Sequence, residues 1–191
     1  VGTVMNALRP SAGSSIVVFG FGTVGLAAVM GGVLTGCEPI RALDVHESRL
    51  AMAKEVGATH TLAAGGDVTE AIIDITHGGA DFSVECSGSP MAIEQAVACL
   101  GRPGWCAQVG APPAGTTVPM DMGHLGYGRG IRGVVLGETS PQTFVPYLAS
   151  LYRDGRLPFD RFVRYYDFAD IDKAIHDSAG TGEVIKPILK M

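Results

Sequence analysis

Three glycines stand at fixed spacing in the segment Gly20-Phe21-Gly22-Thr23-Val24-Gly25. An apolar run typical of a buried strand, residues 15–19, precedes the segment, and a helical pattern over residues 24–35 follows it. In this context Gly20 permits a tight turn, Gly22 lets a phosphate approach the backbone, and Gly25 lets the helix pack against the strand. The N–H groups at the helix start lack intrahelical acceptors and lie at the positive end of the helix dipole. The pattern therefore predicts a site for the pyrophosphate of a dinucleotide.

A carboxylate follows at the end of the second predicted strand. Asp44 stands 19 residues after Gly25, where an acidic side chain accepts hydrogen bonds from the adenosine ribose. It would repel a 2′-phosphate and so favours NAD over NADP; the alternative is a helix cap or turn residue. Arg49, in the first turn of the next helix, is a candidate for the same ribose or its phosphate, or else a solvated charge. Methyltransferases also combine a glycine-rich turn with an acidic strand end, although the glycine spacing here fits them less well.

The elements around these residues alternate between strand and helix. The predicted strands cover residues 15–19, 40–43, 59–62, 81–85 and 105–109, and the predicted helices cover residues 1–8, 24–35, 47–56, 68–76 and 90–100. Short, glycine-punctuated links between such elements are typical of an α/β protein with a doubly wound parallel sheet. We therefore predict a dinucleotide-binding domain over residues 1–136.

The pattern changes after this run. Further strands are predicted over residues 117–119, 131–136, 162–166 and 184–189, and helices over residues 141–152 and 170–178. Aromatic residues accumulate in this part, and the mean hydropathy of the chain is high for its class at +0.27. We expect residues 137–191 to pack on another domain, which would account for part of the apolar excess.

Composition excludes several function classes. The net charge of −5 provides no basic surface for nucleic acid or anionic lipid, and no apolar stretch approaches the roughly 20 residues of a membrane span. The four cysteines have neither C-x-x-C spacing nor a ligand-like cluster with histidine. We expect them to be buried and reduced, as in a cytoplasmic protein without a signal peptide. Since the chain begins at Val1 inside a predicted helix, we also expect that it is truncated.

Several segments resemble the cofactor domain of medium-chain zinc-dependent alcohol dehydrogenases. These segments are Gly20-Phe21-Gly22-Thr23-Val24-Gly25-Leu26, Ala42-Leu43-Asp44-Val45, Ala53-Lys54-Glu55-Val56-Gly57-Ala58-Thr59, Asp81-Phe82-Ser83-Val84-Glu85-Cys86-Ser87-Gly88, Val109-Gly110-Ala111-Pro112-Pro113 and Ile185-Lys186-Pro187-Ile188-Leu189. The segment from Leu151 to Asp160 is similar to the aryl-alcohol, benzyl-alcohol-like branch. The resemblance covers essentially the whole chain.

The resemblance implies a role for each matching residue. Gly20, Gly22, Thr23, Val24 and Gly25 would hold the pyrophosphate. Asp44 and Arg49 would hold the adenosine ribose, and Ser87 and Gly88 would line the ribose side. Ala111 would stand beside the nicotinamide through its backbone. Val134 and Leu136 would present backbone groups to the carboxamide, and Lys186 would lie near the pyrophosphate.

The resemblance also implies hydride transfer between an alcohol or aldehyde and NAD, with zinc as Lewis acid. The zinc ligands of the family lie in an N-terminal GroES-like domain, and none of those positions occurs in this sequence. We therefore expect the chain to bind dinucleotide weakly and to catalyse nothing by itself. We also expect a homodimer through the edge strand 131–136. Two alternatives remain: an NADP-dependent, zinc-independent quinone-reductase-like member of the superfamily, and a non-catalytic nucleotide-sensing module.

Overall fold

A computed structural model of the chain describes residues 1–66, 68–179 and 184–191. The chain divides into two compact units, Val1–Val145 and Pro146–Met191, and each is described by itself. Among the described residues, no helix is both long and apolar enough to cross a membrane.

The first unit is built on a parallel sheet of six strands. The strands are β1 (Ile16–Phe19), β2 (Ile40–Asp44), β3 (His60–Ala63), β4 (Ala80–Glu85), β5 (Leu100–Gln108) and β6 (Arg129–Gly133). Their order across the sheet is β3-β2-β1-β4-β5-β6, and every neighbouring pair is parallel. All residues of β1 and β2 are buried, as expected for central strands covered on both faces. The predicted α/β class and doubly wound parallel sheet are confirmed.

Helices connect these strands. They are α1 (Thr23–Thr35), α2 (Glu47–Glu55), α3 (Thr69–Ile75), α4 (Pro90–Ala98) and the short α5 (Met122–Leu125), preceded by a π-helical turn, Thr3–Leu8. Small residues let α1 lie close to the sheet: a Cβ added at Gly32 would come within 3.2 Å of the Ile40 side chain. Gly36 ends α1 in the left-handed conformation, with φ of 74°. The glycine-rich turn lies between the end of β1 and the first turn of α1.

The structure corrects two predicted elements. The strand predicted over residues 117–119 is wrong, because that stretch lies in a loop between β5 and α5. Pro112, Pro113 and Pro119 lack the N–H groups that a sheet ladder needs. The strand predicted over residues 131–136 is β6, which begins at Arg129 and ends at Gly133. Beyond it Leu136 adopts a positive φ of 51°, which is incompatible with an extended strand.

The second unit has a core of its own. The boundary falls inside α6 (Pro141–Arg153), and β7 (Val163–Asp167) pairs in parallel with β8 (Lys186–Lys190). Between these strands, α7 (Ile171–Ala179) contributes Ala174 to a small cluster with Tyr166 and Val184. The Tyr166 hydroxyl donates to Asp177 Oδ2 at 2.8 Å. Within this unit the cluster thus holds a strand, a helix and a parallel strand together.

Candidate dinucleotide-binding site

A cavity of about 410 Å³ opens where the carboxyl ends of β1, β2 and β4 meet. The strand order reverses direction at β1, which has β2 on one side and β4 on the other. In open α/β sheets such a switch point is where ligands bind. The lining residues are Phe19, Gly20, Phe21, Gly22, Leu43, Asp44, Val45, Arg49, Ala64, Cys86, Ser87, Ser89, Met91, Ala92 and Gln95.

The three glycines of the turn meet different surroundings. Gly20 has φ of +85°, and a Cβ at Gly25 would lie only 1.9 Å from the Gly20 carbonyl oxygen. Gly22, the N-cap of α1, has no heavy atom within 4 Å of its added Cβ and no side chain that could accept from the first-turn N–H groups. Gly20 and Gly25 are therefore required by the fold, whereas Gly22 leaves open space at a helix start. That space suits an anionic ligand.

Asp44 lies at the end of β2 with only 4% of its surface exposed. Its Oδ2 accepts the Phe21 N–H at 2.5 Å, and its Oδ1 accepts the His46 N–H at 2.9 Å. Asp44 therefore does act partly as a turn residue, because its carboxylate accepts a backbone hydrogen bond from the chain that follows β2. Two oxygens offer about four acceptor positions, so capacity remains for hydroxyl groups of a ligand in the cavity.

Arg49 enters the same cavity from the first turns of α2. Its Nε is buried and finds no hydrogen-bond partner among the described residues. Buried donors are nearly always paired in folded proteins. A ligand oxygen near Asp44 would satisfy this donor, so the residues present fit a nucleotide at this end of the cavity.

The opposite wall follows β4, and Glu85 organises it. Glu85 is fully buried, and its Oε1 accepts from the Ser87 N–H at 2.7 Å, the Ser87 hydroxyl at 2.5 Å and the Gly88 N–H at 3.0 Å. The Ser87 hydroxyl in turn accepts the Ser89 N–H at 3.1 Å. Sequence reasoning missed Glu85 and Phe21. For Glu85, the available signal was an acidic residue at the carboxyl end of a predicted strand.

Cys86 also lines this wall. Burial, and then the negative charge of Glu85, raises the pKa of the Cys86 thiol to about 12. The thiol is therefore protonated at neutral pH and is a poor nucleophile. Its contribution to the cavity is a small apolar surface.

Eight of the predicted residues do not line the cavity: Thr23, Val24, Gly25, Gly88, Ala111, Val134, Leu136 and Lys186. Ala111 is exposed and lies next to Gly88, where its carbonyl oxygen would be 2.8 Å from an added Cβ. Val134 is buried and donates its N–H to the Gln108 carbonyl at 2.9 Å, whereas Leu136 is 74% exposed. Lys186 begins β8 in the second unit. The structure brings Gly20, Gly22, Asp44, Arg49 and Ser87 to one cavity and places Thr23 and Val24 at the start of α1.

No group of three histidine, cysteine, aspartate or glutamate side chains that could hold a metal ion occurs in residues 1–66, 68–179 and 184–191. The described residues therefore do not fit a zinc ion. We assign no zinc ligand to them.

A protein-family model described as zinc-binding dehydrogenase matches residues 23–154, more than half of the chain. The chain belongs to the zinc-binding dehydrogenase family. The matched region includes α1, Asp44 and the β4 wall of the candidate site, and it begins directly after Gly22 of the glycine-rich turn.

Similar proteins extend this result. Geraniol dehydrogenase of Castellaniella defragrans is 36% identical over 98% of this chain and 51% of its own length. Two solved structures each cover the whole chain. An alcohol dehydrogenase zinc-binding domain protein from Burkholderia ambifaria is 43% identical with a TM-score of 0.96 over 52% of that chain. Benzyl alcohol dehydrogenase from Acinetobacter calcoaceticus is 42% identical with a TM-score of 0.94 over 53% of that chain. The present chain thus spans about half the length of the relatives it matches.

Proposed function

We propose that this chain binds NAD and serves as the cofactor domain of an enzyme that transfers hydride between an alcohol and NAD. One observation carries the proposal: the open backbone at Gly22 and the carboxylate of Asp44 face the same cavity. A pyrophosphate needs the first feature and a free adenosine ribose needs the second. The alcohol dehydrogenases among the relatives support the reaction class.

The proposal gives a task to each predicted cofactor-binding residue. The N–H groups that open α1, at Thr23, Val24 and Gly25, lie where the pyrophosphate would bind. Asp44 accepts from the ribose hydroxyls, and Arg49 donates its unpaired Nε to the same end. We assign Ser87 and Gly88 to the ribose side and Ala111 to the nicotinamide, and Val134, Leu136 and Lys186 remain proposed contacts. When bound, NAD supplies the hydride acceptor; the chain orients it and excludes water around it.

The substrate we propose is an alcohol, and aromatic alcohols are the first class to test. A benzyl alcohol dehydrogenase is 42% identical to this chain over its whole length. The described residues hold no cluster for a metal, so we place any zinc of the family's kind outside them. We also place the proton relay and much of the substrate pocket outside them.

Binding of NADH to the 191-residue chain tests the proposal. NADH fluorescence is titrated with the chain and compared with that of NADPH. We expect a weak but saturable NADH signal and weaker NADPH binding, because Asp44 would repel the 2′-phosphate. Tighter NADPH binding would contradict the use of Asp44 and favour the quinone-reductase-like alternative. Saturable binding of neither nucleotide would contradict the proposed function.

Three further proposals concern the surroundings of the chain. We propose a homodimer through β6, which in the described part of the sheet pairs with β5 alone. A monomeric mass by light scattering would count against the homodimer.

We propose that residues 137–191 pack on another domain, since Tyr165 and Phe168 are each more than half exposed. We also place the protein in the cytoplasm, where its four free thiols would remain reduced.

A further inference from the structure

Glu85 is a fully buried acid. It ends β4 with no exposed surface, and neither ion pair found among the described residues involves it. A buried carboxylate is tolerated only when hydrogen bonds replace its hydration. Here the backbone N–H groups of Ser87 and Gly88 and the Ser87 hydroxyl supply those bonds, all from the three residues that follow the strand. The turn after β4 is therefore folded around this carboxylate.

The same residue also holds the chain after β5. The Glu85 carbonyl accepts the N–H groups of Val109 and Gly110 at 2.8 and 2.9 Å. A Cβ added at Gly110 would lie 2.6 Å from Glu85 Oε2 and 2.3 Å from the Gly88 nitrogen. The segments 86–88 and 109–111 are thus packed against each other without spare room, and Glu85 contacts both.

The position of these segments relates them to one half of a dinucleotide. The adenosine half belongs at the end of β2, where Asp44 lies, and the ligand crosses the switch point at β1. Its other half must therefore extend over β4 and β5, whose carboxyl ends carry segments 86–88 and 109–111. Ser87 lines the cavity there, whereas the Glu85 carboxylate lies behind it.

We propose that Glu85 is a positioning residue for the nicotinamide half of the cofactor. It acts through segments 86–88 and 109–111 rather than by touching the ligand. The inference rests on the proposed function, because it presupposes that the cavity binds a dinucleotide. Glu85 sets the affinity for the nicotinamide end and leaves the adenosine end unaffected.

A comparison of the affinities for AMP and NADH separates this role from a general contribution to folding. AMP occupies only the adenosine half, whereas NADH occupies both halves. The variant Glu85→Gln keeps the shape of the side chain and one accepting oxygen, but its amide nitrogen would face the N–H donors or Gly110. We expect NADH affinity, measured by calorimetry on the 191-residue chain, to fall about tenfold, and AMP affinity to change less than about twofold.

A matched control lies at the other end of the same strand. Asp81 Oδ2 accepts both the N–H and the hydroxyl of Ser15 at 2.8 Å, joining β4 to the start of β1. Asp81→Asn thus removes a carboxylate that also accepts hydrogen bonds from the chain, although it is exposed and lies away from the cavity. We expect it to lower the thermal midpoint without changing the ratio of NADH to AMP affinity. Ser87→Ala, which removes one donor to Glu85, should weaken NADH selectively and by less than Glu85→Gln.

Several outcomes overturn the proposal. One is an equal loss of NADH and AMP affinity in Glu85→Gln, and another is no loss of either. If Glu85→Gln does not fold, the affinities of Ser87→Ala for NADH and AMP are compared instead. Unchanged NADH affinity in Ser87→Ala then rejects the role. Equal affinity of the unmodified chain for NADH and AMP also rejects it, since the nicotinamide half would then not be held. If the unmodified chain binds neither nucleotide, the proposed function itself fails, and the role of Glu85 fails with it.

Discussion

The Phe21 N–H donates a hydrogen bond of 2.5 Å to the Asp44 carboxylate, across 23 residues of chain. Phe21 lies between two glycines of the turn after β1, and Asp44 ends β2. A second contact, from the Gly20 N–H to the Leu43 carbonyl at 2.9 Å, continues the pairing of the two strands. The group assigned to the ribose therefore also holds the turn assigned to the pyrophosphate, and the two halves of the adenosine site are coupled.

This coupling predicts a double effect of Asp44→Ala. Loss of the carboxylate removes the acceptors for the ribose and leaves the buried Phe21 N–H unpaired. We expect NADH affinity to fall about tenfold or more, and the free energy of unfolding to fall by about 1–3 kcal/mol. NADH titration and urea unfolding measure the two effects. Unchanged stability in this variant would contradict the coupling, and unchanged NADH affinity would contradict the role of Asp44.

The glycines of the turn predict a separation of stability from binding. In Gly25→Ala the new Cβ would lie 1.9 Å from the Gly20 oxygen, so we expect a loss of about 3 kcal/mol in the free energy of unfolding. In Gly22→Ala the Cβ enters open space at an extended backbone with φ of −76°. We expect its unfolding free energy to change by less than about 1 kcal/mol, while NADH affinity falls because the methyl group occupies the approach of the phosphate. A Gly22→Ala chain that binds NADH normally would contradict this placement.

The buried thiols predict a loss of stability at alkaline pH. Burial raises the pKa of both Cys86 and Cys106 from 9.0 to about 12. Above pH 9 the unfolded chain releases these protons while the folded chain keeps them, so folding is increasingly opposed as pH rises from about 9 to about 12. Urea unfolding at pH 8 and pH 10.5 measures this loss. We expect Cys106→Ala to show a smaller difference between the two pH values; an identical difference would contradict the assignment.

The described residues also predict an absence of catalysis by the isolated chain. With NAD, zinc and benzyl alcohol, we expect no formation of NADH at 340 nm, because no described cluster can hold the metal. A complete benzyl alcohol dehydrogenase serves as the positive control. Detectable zinc-dependent oxidation by the 191-residue chain would reject this prediction.

The sequence by itself determined the class of fold and the adenosine side of the candidate site. Gly20, Gly22 and Gly25 act within a strand, turn and helix that are continuous in the chain, and Asp44 follows from its place at a strand end. Such features are local, so residue types and spacing are sufficient to predict them. The strand predicted at 117–119 is wrong because strand propensity is also a local property. A strand forms only where a neighbouring strand provides partners for its backbone hydrogen bonds.

Only the tertiary structure decided the rest. Glu85 and Gly110 are 25 residues apart and meet because β4 and β5 are neighbours in the sheet, which gives the buried carboxylate its place behind the cavity. The double use of Asp44, as cavity wall and as acceptor for Phe21, likewise depends on β1 lying beside β2. Hydrogen bonds between distant segments depend on strand order and register, and these are set by the packing of the whole sheet rather than by any one segment.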